Sequence, residues 1–212
     1  MPTKWIGCVI AYNEEALLPD CLESIYQAVD EIIVVEGRMA DFPGVDYRSD
    51  DDTVAIARGF GALVIGAPGR AWHTEHEMRS QYLRGVLGDC YFVIDADEVL
   101  ITPLPHPDEL AGNVYRVVVR MQEAPRDSDF HAIRIYRHTG VMQYLHAHDA
   151  MHCDGLMMDR EPPILDAVQL YHQQPKRSKE RRALKRIKRV NTVARERQFR
   201  RQLIEDKANA SQ

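Results

Sequence analysis

Tyr91-Phe92-Val93-Ile94-Asp95-Ala96-Asp97-Glu98 is an apolar run of strand length closed at once by three carboxylates. A strand buried on both faces of a parallel sheet reads as such a continuous run, and in open α/β sheets ligands gather beyond the carboxyl ends of the strands. Asp95 and Asp97 therefore stand where a ligand would lie. If the backbone stays extended for two more residues, the period of two puts both carboxylates on one side and Ala96 on the other. That arrangement suits a hard divalent cation, which takes oxygen ligands and keeps positions open for phosphate and water. The same residues also read as an acidic, solvated turn, so the rest of the chain has to decide.

Working back toward the start, strand and helix alternate. Residues 4–11 read as a first strand followed directly by Tyr12-Asn13-Glu14-Glu15, and Asn13 is placed to cap a helix. That helix carries Leu17, Leu18, Cys21, Leu22, Ile25, Tyr26 and Val29 on one stripe at i, i+3, i+4 spacing. Residues 31–36 form a second buried strand ending in Glu36. Gly37, Pro43 and Gly44 interrupt any pattern in a long loop over 37–49. Ser49-Asp50-Asp51-Asp52-Thr53 then supplies caps and first-turn acids for a helix through Phe60, residues 62–65 a third strand, and residues 75–87 a helix leading into the strand at Tyr91. Strict alternation from residue 4 to residue 98 predicts a doubly wound parallel sheet.

Downstream, Pro103, Pro105 and Pro107 break the alternation, and residues 114–121 and 132–137 read as strands with no helix between them. Too little apolar sequence is left there for a separate core. The expectation is one domain over 1–175, a nucleotide-binding half 1–100 and an acceptor half 101–175 built as a mixed extension of the sheet, followed by a basic helical tail, 176–212. That tail holds 14 Lys and Arg against 4 Asp and Glu, whereas the whole chain carries a net charge of -5, so an acidic body is joined to a strongly basic appendage. No apolar run reaches membrane-span length, and Met1-Pro2-Thr3-Lys4 runs into a strand-like segment instead of a signal sequence, which predicts a cytoplasmic protein. The four cysteines show no Cys-x-x-Cys pairing, and reduced core thiols are expected.

Four motifs now stand in order: Ala11-Tyr12-Asn13-Glu14, Glu31-Ile32-Ile33-Val34-Val35-Glu36-Gly37, Ser49-Asp50-Asp51-Asp52-Thr53, and Phe92-Val93-Ile94-Asp95-Ala96-Asp97-Glu98. Together they resemble the family 2 nucleotide-sugar glycosyltransferases of the GT-A fold, over about the first half of the chain. The resemblance implies an α/β, GT-A-like, doubly wound, mostly parallel sheet and an inverting, metal-dependent transfer of a sugar from a nucleoside diphosphate to an acceptor hydroxyl. It implies donor contacts at Ala11, Tyr12, Asn13, Glu14, Glu36, Asp52, Arg79 and Asp95. Asp95 and Asp97 match the metal motif for Mn2+ or Mg2+, and His172, after a strand-like segment, matches a late histidine ligand of some members. Glu36 replaces the family's usual aspartate, which puts a uridine preference in doubt, and residues 38–48 are longer than in most members.

The chemistry asks for two things at such a site. Charge developing on the leaving diphosphate needs electrostatic stabilisation, and the acceptor hydroxyl needs a base. Asp149, in His146-Ala147-His148-Asp149 after the strand-like residues 141–145, is the candidate base, beside the alternative of an ordinary loop acid. His146, His148, His152 and Asp154 lack the spacing of a His-x-His-x-Asp-His metal cluster. Trp72 reads either as a border of the sugar site or as packing.

The tail presents Arg181, Arg182, Lys185, Arg186, Lys188 and Arg189 around a narrow apolar stripe. It reads as a surface helix paired with the acidic body, as a contact for phosphates in DNA, or as a peripheral membrane contact. The stripe has no Trp and few large apolar residues, which favours nucleic acid, with a hydroxylated base in DNA as the acceptor; a saccharide or lipid-linked acceptor at a membrane surface is the alternative. Two further readings stand outside transfer: a non-catalytic nucleic-acid-binding module, and a phosphatase similar to haloacid dehalogenases, with Asp95 as nucleophile. The phosphatase lacks the later lysine it needs, since none lies between Glu98 and Lys176.

Overall fold

The computed structural model describes residues 3–42, 44–85, 88–121, 128–139, 142–144, 152–153, 156–157 and 162–173. Asp149 and the tail residues from Arg181 to Arg189 lie outside them, as do His146, His148 and Asp154.

The first half alternates as expected: β1 (Trp5–Ala11), α1 (Leu18–Ile25), β2 (Glu31–Glu36), α2 (Thr53–Gly59), β3 (Leu63–Ile65), α3 (Glu75–Arg79), α4 (Tyr82–Gly85) and β4 (Cys90–Asp95). The short β5 (Glu98–Leu100), β6 (Val114–Met121), β7 (Phe130–Arg137) and β11 (Ile164–His172) complete one eight-stranded sheet of order β3-β2-β1-β4-β7-β6-β11-β5. Three two-residue strands, β8 (Met142–Gln143), β9 (His152–Cys153) and β10 (Leu156–Met157), form a small antiparallel sheet. Four of the seven ladders in the large sheet are parallel, those joining β3, β2, β1 and β4 and the one between β6 and β11. β7 enters antiparallel to both β4 and β6, so the second half is a mixed extension of the same sheet.

Apolar patterning explains the layers. β1, β2 and β4 are buried along almost their whole length, and α1 covers one face with Leu18, Cys21, Leu22 and Ile25, one stripe of the 3.6-residue period. Cys8, Cys21 and Cys90 are free buried thiols, and desolvation raises their pKa values, that of Cys90 to about 11.

Three local expectations need correction. Asn13 does not cap α1: it sits at φ 51°, and the helix begins at Leu18 with Pro19 in its first turn, where the missing N–H costs no hydrogen bond. The helix expected over 75–87 breaks at Ser80 and Gln81 into α3 and α4. The backbone does not stay extended through Asp97 but turns at Ala96 and Asp97, because Glu98 must start β5, which pairs with β11 at the far edge of the sheet. No helix among the described residues is long and apolar enough to cross a membrane.

Candidate active site

Register alone brings the sequence motifs together. Ala11 pairs with Glu36 across β1 and β2, and Ile10 pairs with Asp95 across β1 and β4, so three motif-bearing strands end at one rim. β1 is flanked by β2 and β4, and the connections leave it in opposite directions, which makes the rim between β1 and β4 the switch point where a doubly wound sheet opens a crevice.

One wall of the crevice is the turn after β1. Asn13, in its left-handed conformation, exchanges hydrogen bonds with Asp50: its Nδ2 donates to Oδ1 at 2.5 Å and its Oδ1 accepts from the Asp50 amide at 3.1 Å. The Glu14 amide donates to Thr53 Oγ1 at 2.8 Å and the Glu15 amide to Asp51 Oδ2 at 3.1 Å. Two loops far apart in sequence thereby become one piece, which strand-end loops achieve when their backbone amides find side-chain acceptors. Asp52 is exposed, and its amide donates to Glu15 Oε2. Asp50 and Asp51, not Asp52, make the side-chain contacts to the first motif.

The long loop after β2 is pinned rather than loose. Glu36 is buried, its Oε1 accepts from the Ser49 amide, and its carbonyl accepts from Trp72 Nε1 at 3.0 Å. Trp72 is therefore packing under the loop and not an open sugar border. Arg38 donates to the carbonyls of Asp46 and Phe42 at 3.0 and 2.8 Å, while Tyr12 donates its hydroxyl to the Asp46 carbonyl at 3.1 Å and meets Phe42 edge to face.

The acids of the last motif diverge. Asp95 turns between two guanidinium groups, accepting from Arg79 Nη2 at 2.8 Å and from Arg134 Nη2 at 2.9 Å. Arg134 Nη2 also donates to Glu98 Oε1 at 2.6 Å, and Glu98 Oε2 accepts from the Asp95 amide at 3.0 Å. Arg79 is aimed by α3, where Thr74 caps the helix by accepting from the Glu77 amide and Glu75 pairs with Arg79 at 3.0 Å. Burial raises the Glu98 pKa, opposed by the Arg134 charge; burial also works against charge on Arg79 and Arg134, but Asp95 and the neighbouring acids hold both firmly protonated. Asp97, 3% exposed, has a different partner and pairs with His172 Nε2 at 3.2 Å, while its carbonyl accepts from the Gln173 amide.

The 3.2 Å separation of Asp97 Oδ2 and His172 Nε2 is that of a direct ion pair, and it also matches two ligands of one divalent cation. Ligand bonds of about 2.1 Å at right angles put neighbouring donors about 3.0 Å apart, close to the separation of this carboxylate oxygen and imidazole nitrogen. Among the described residues no group of three or more His, Cys, Asp or Glu side chains is arranged to hold a metal alone. Two protein ligands with the remainder from phosphate and water is the usual mode for such a cation. The charge balance agrees: Glu75, Asp95, Asp97 and Glu98 set four carboxylates against two guanidinium groups.

Of the candidate site residues within the described region, Ala11, Tyr12, Asn13, Glu14, Glu36, Arg79, Asp95, Asp97 and His172 lie along this rim or in its networks. Arg134 and Glu98 were not foreseen as site residues. The available signal was a charged residue inside the apolar strand sequence Ile133-Arg134-Ile135, and a third acid directly after Asp97.

No protein-family model matches the sequence. Among characterised and catalogued proteins, the chain is 33% identical over 127 residues to a TPR repeat-containing protein of Synechococcus elongatus, covering 56% of this chain and 28% of that protein. It is 37% identical over 92 residues to an uncharacterized glycosyltransferase of Rickettsia felis, covering 43% of this chain and 28% of that one. The chain thus spans little more than a quarter of the length of either relative. Similar solved structures include S. aureus TarS 1-349, with a TM-score of 0.44, 17% identity and coverage of 58% of this chain and 37% of that one. Another is glucosyl-3-phosphoglycerate synthase from Mycobacterium tuberculosis in complex with Mn2+, UDP and glucosyl-3-phosphoglycerate, with a TM-score of 0.41, 26% identity and coverage of 56% and 44%.

Proposed function

We propose that the chain is a nucleotide-sugar glycosyltransferase of the GT-A type that moves a sugar from a nucleoside diphosphate to an acceptor hydroxyl with inversion. The observation that carries this reading is the pairing of buried Asp97 with His172 beside an Asp95 held by two arginines, at the switch point of a parallel sheet. The similarity to the Rickettsia felis glycosyltransferase supports it. Asp97 and His172 would hold Mn2+ or Mg2+, which when bound supplies a Lewis acid for the charge on the departing diphosphate. The Tyr12 to Glu14 turn and Glu36 border the nucleotide, and Arg79 adds positive charge on the diphosphate side. The acceptor oxygen attacks the anomeric carbon as the bond to the diphosphate breaks, and Asp149 is the candidate base for the acceptor proton. The phosphatase alternative would need Asp95 as a nucleophile served by a lysine, yet its partners are Arg79 and Arg134.

Nucleotide sugars screened by thermal shift with and without Mn2+ test the reading. At a hundredfold over its Kd the right donor adds about 2.7 kcal/mol, several degrees in Tm. The shift should be larger with Mn2+ than without it, and that gain should vanish in Asp97→Ala. A chain stabilised by no nucleotide sugar, or an Asp97→Ala protein stabilised like the wild type, overturns it.

On the acceptor side, the 14 basic residues of the tail favour a polyanion, with a hydroxylated base in DNA as the acceptor. The full chain should bind DNA with an affinity that falls steeply with salt and should transfer sugar to hydroxymethylated DNA, and a protein ending at Pro175 should lose both. Equal behaviour of the two proteins removes the tail from the reaction, and binding of the full chain to anionic vesicles but not to DNA returns the acceptor to a membrane surface.

A further inference from the structure

We propose that Arg134 and Glu98 are positioning residues of the donor site: they fix the Asp95 carboxylate and the turn that carries Asp97. The proposal rests on the transferase reading above. Its basis is a closed ring of contacts. Starting at the Asp95 amide, the ring passes to Glu98 Oε2, through that carboxylate to Arg134 Nη2, and from the same nitrogen to Asp95 Oδ2, at 3.0, 2.6 and 2.9 Å in turn. Both hydrogens of one guanidinium nitrogen are thereby directed, one to each acid. Since the Asp95 backbone and the Asp95 carboxylate are both in the ring, the side chain has one aim relative to its own strand.

The ring also encloses the turn at Ala96 and Asp97, so the residue that meets His172 leaves the backbone from a point held on both sides. Arg134 comes from β7, in the acceptor half, and Arg79 from α3, in the nucleotide half; between them they take the two oxygens of Asp95. Asp95 is thus where the two halves of the chain meet across the crevice.

A stability role alone does not account for this pair. Arg134 is 9% exposed and Glu98 1%, and a buried ion pair is as a rule no more stabilising than apolar side chains of the same volume. What the charged pair adds is direction, because only a donor with two divergent N–H groups reaches both acids.

The experiment compares wild type with Arg134→Met/Glu98→Leu, which removes the ring while leaving no buried charge unpaired. Calorimetric titrations with UDP, GDP, CDP and ADP are run in MnCl2 and again in EDTA, alongside melting curves. The double variant should melt within a few degrees of wild type and bind the preferred diphosphate in Mn2+ about ten- to a hundredfold more weakly, the usual cost of losing partners that orient ligand residues. Its binding in EDTA should be unchanged. A role in packing alone would not produce a loss confined to the Mn2+ titration. If the double variant does not fold, Arg134→Met/Glu98→Gln, which keeps an acceptor for the Asp95 amide but no donor from β7, carries the same comparison.

Wild type that binds a diphosphate with Mn2+ beside a variant that binds it within twofold overturns the positioning role and leaves the transferase standing. Equal losses with and without Mn2+ do the same. Wild type that binds none of the four diphosphates overturns both.

Discussion

Gly37 shows how little room the rim allows. It follows Glu36 directly and has φ 129°, a conformation that side chains other than glycine's rarely adopt. A Cβ placed on it would lie 2.7 Å from Ala67 Cβ and 2.9 Å from Trp72 Nε1. Trp72 cannot retreat cheaply, since its Nε1 donates to the Glu36 carbonyl and its amide and carbonyl are bonded to Arg38 and Ala40. Gly37→Ala should therefore destabilise the protein by about 3 kcal/mol, from backbone strain and overpacking together. Denaturant unfolding monitored by tryptophan fluorescence measures it. A change below about 0.5 kcal/mol, the range of an ordinary surface substitution, would mean that the loop after β2 is not held against Trp72 as described.

At the level of elements, the legible parts were those decided by local pattern. The apolar runs of β1, β2 and β4 and the Leu18, Cys21, Leu22, Ile25 stripe of α1 need no partner to be recognised, and with them came the parallel half of the sheet and the rim where its strands end. What stayed hidden depended on contacts between distant residues. β5 is three residues long and exists because β11 pairs with it, so nothing within Glu98-Val99-Leu100 announces a strand, and without β5 the turn at Ala96 and Asp97 has no cause. The start of α1 moved for a similar reason: Asn13 is an acceptable cap by itself, but Asp50 holds its side chain from across the crevice. In Ser49-Asp50-Asp51-Asp52-Thr53 three identical acids compete for one role, and only the geometry separates exposed Asp52 from Asp51, which accepts from the Glu15 and Thr53 amides. Arg134 was the least accessible to local reading, since its partners lie 36 and 39 residues away.

For the molecule as a whole, the two halves are proposed to fold as one unit, because each of the two buried clusters among the described residues draws on both. Trp5, Leu22 and Phe92 belong to the same buried cluster as Val117, Ile135, Val168 and Leu170. Ile135 is the joint: fully buried, it pairs in register with Phe92 of β4 on one side and Tyr115 of β6 on the other. Truncating it to alanine should cost about 2–5 kcal/mol, the range for losing a large aliphatic side chain from a close-packed core. Both tryptophans, Trp5 and Trp72, lie in the first hundred residues, so their fluorescence reports that half, whereas far-UV circular dichroism reports all the strands. In a cooperative domain, Ile135→Ala lowers the unfolding midpoint seen by both probes equally, although the substitution lies in the other half. If the fluorescence midpoint stays at the wild-type value while the dichroism midpoint falls, residues 1–100 unfold independently, and the second half is a domain in its own right.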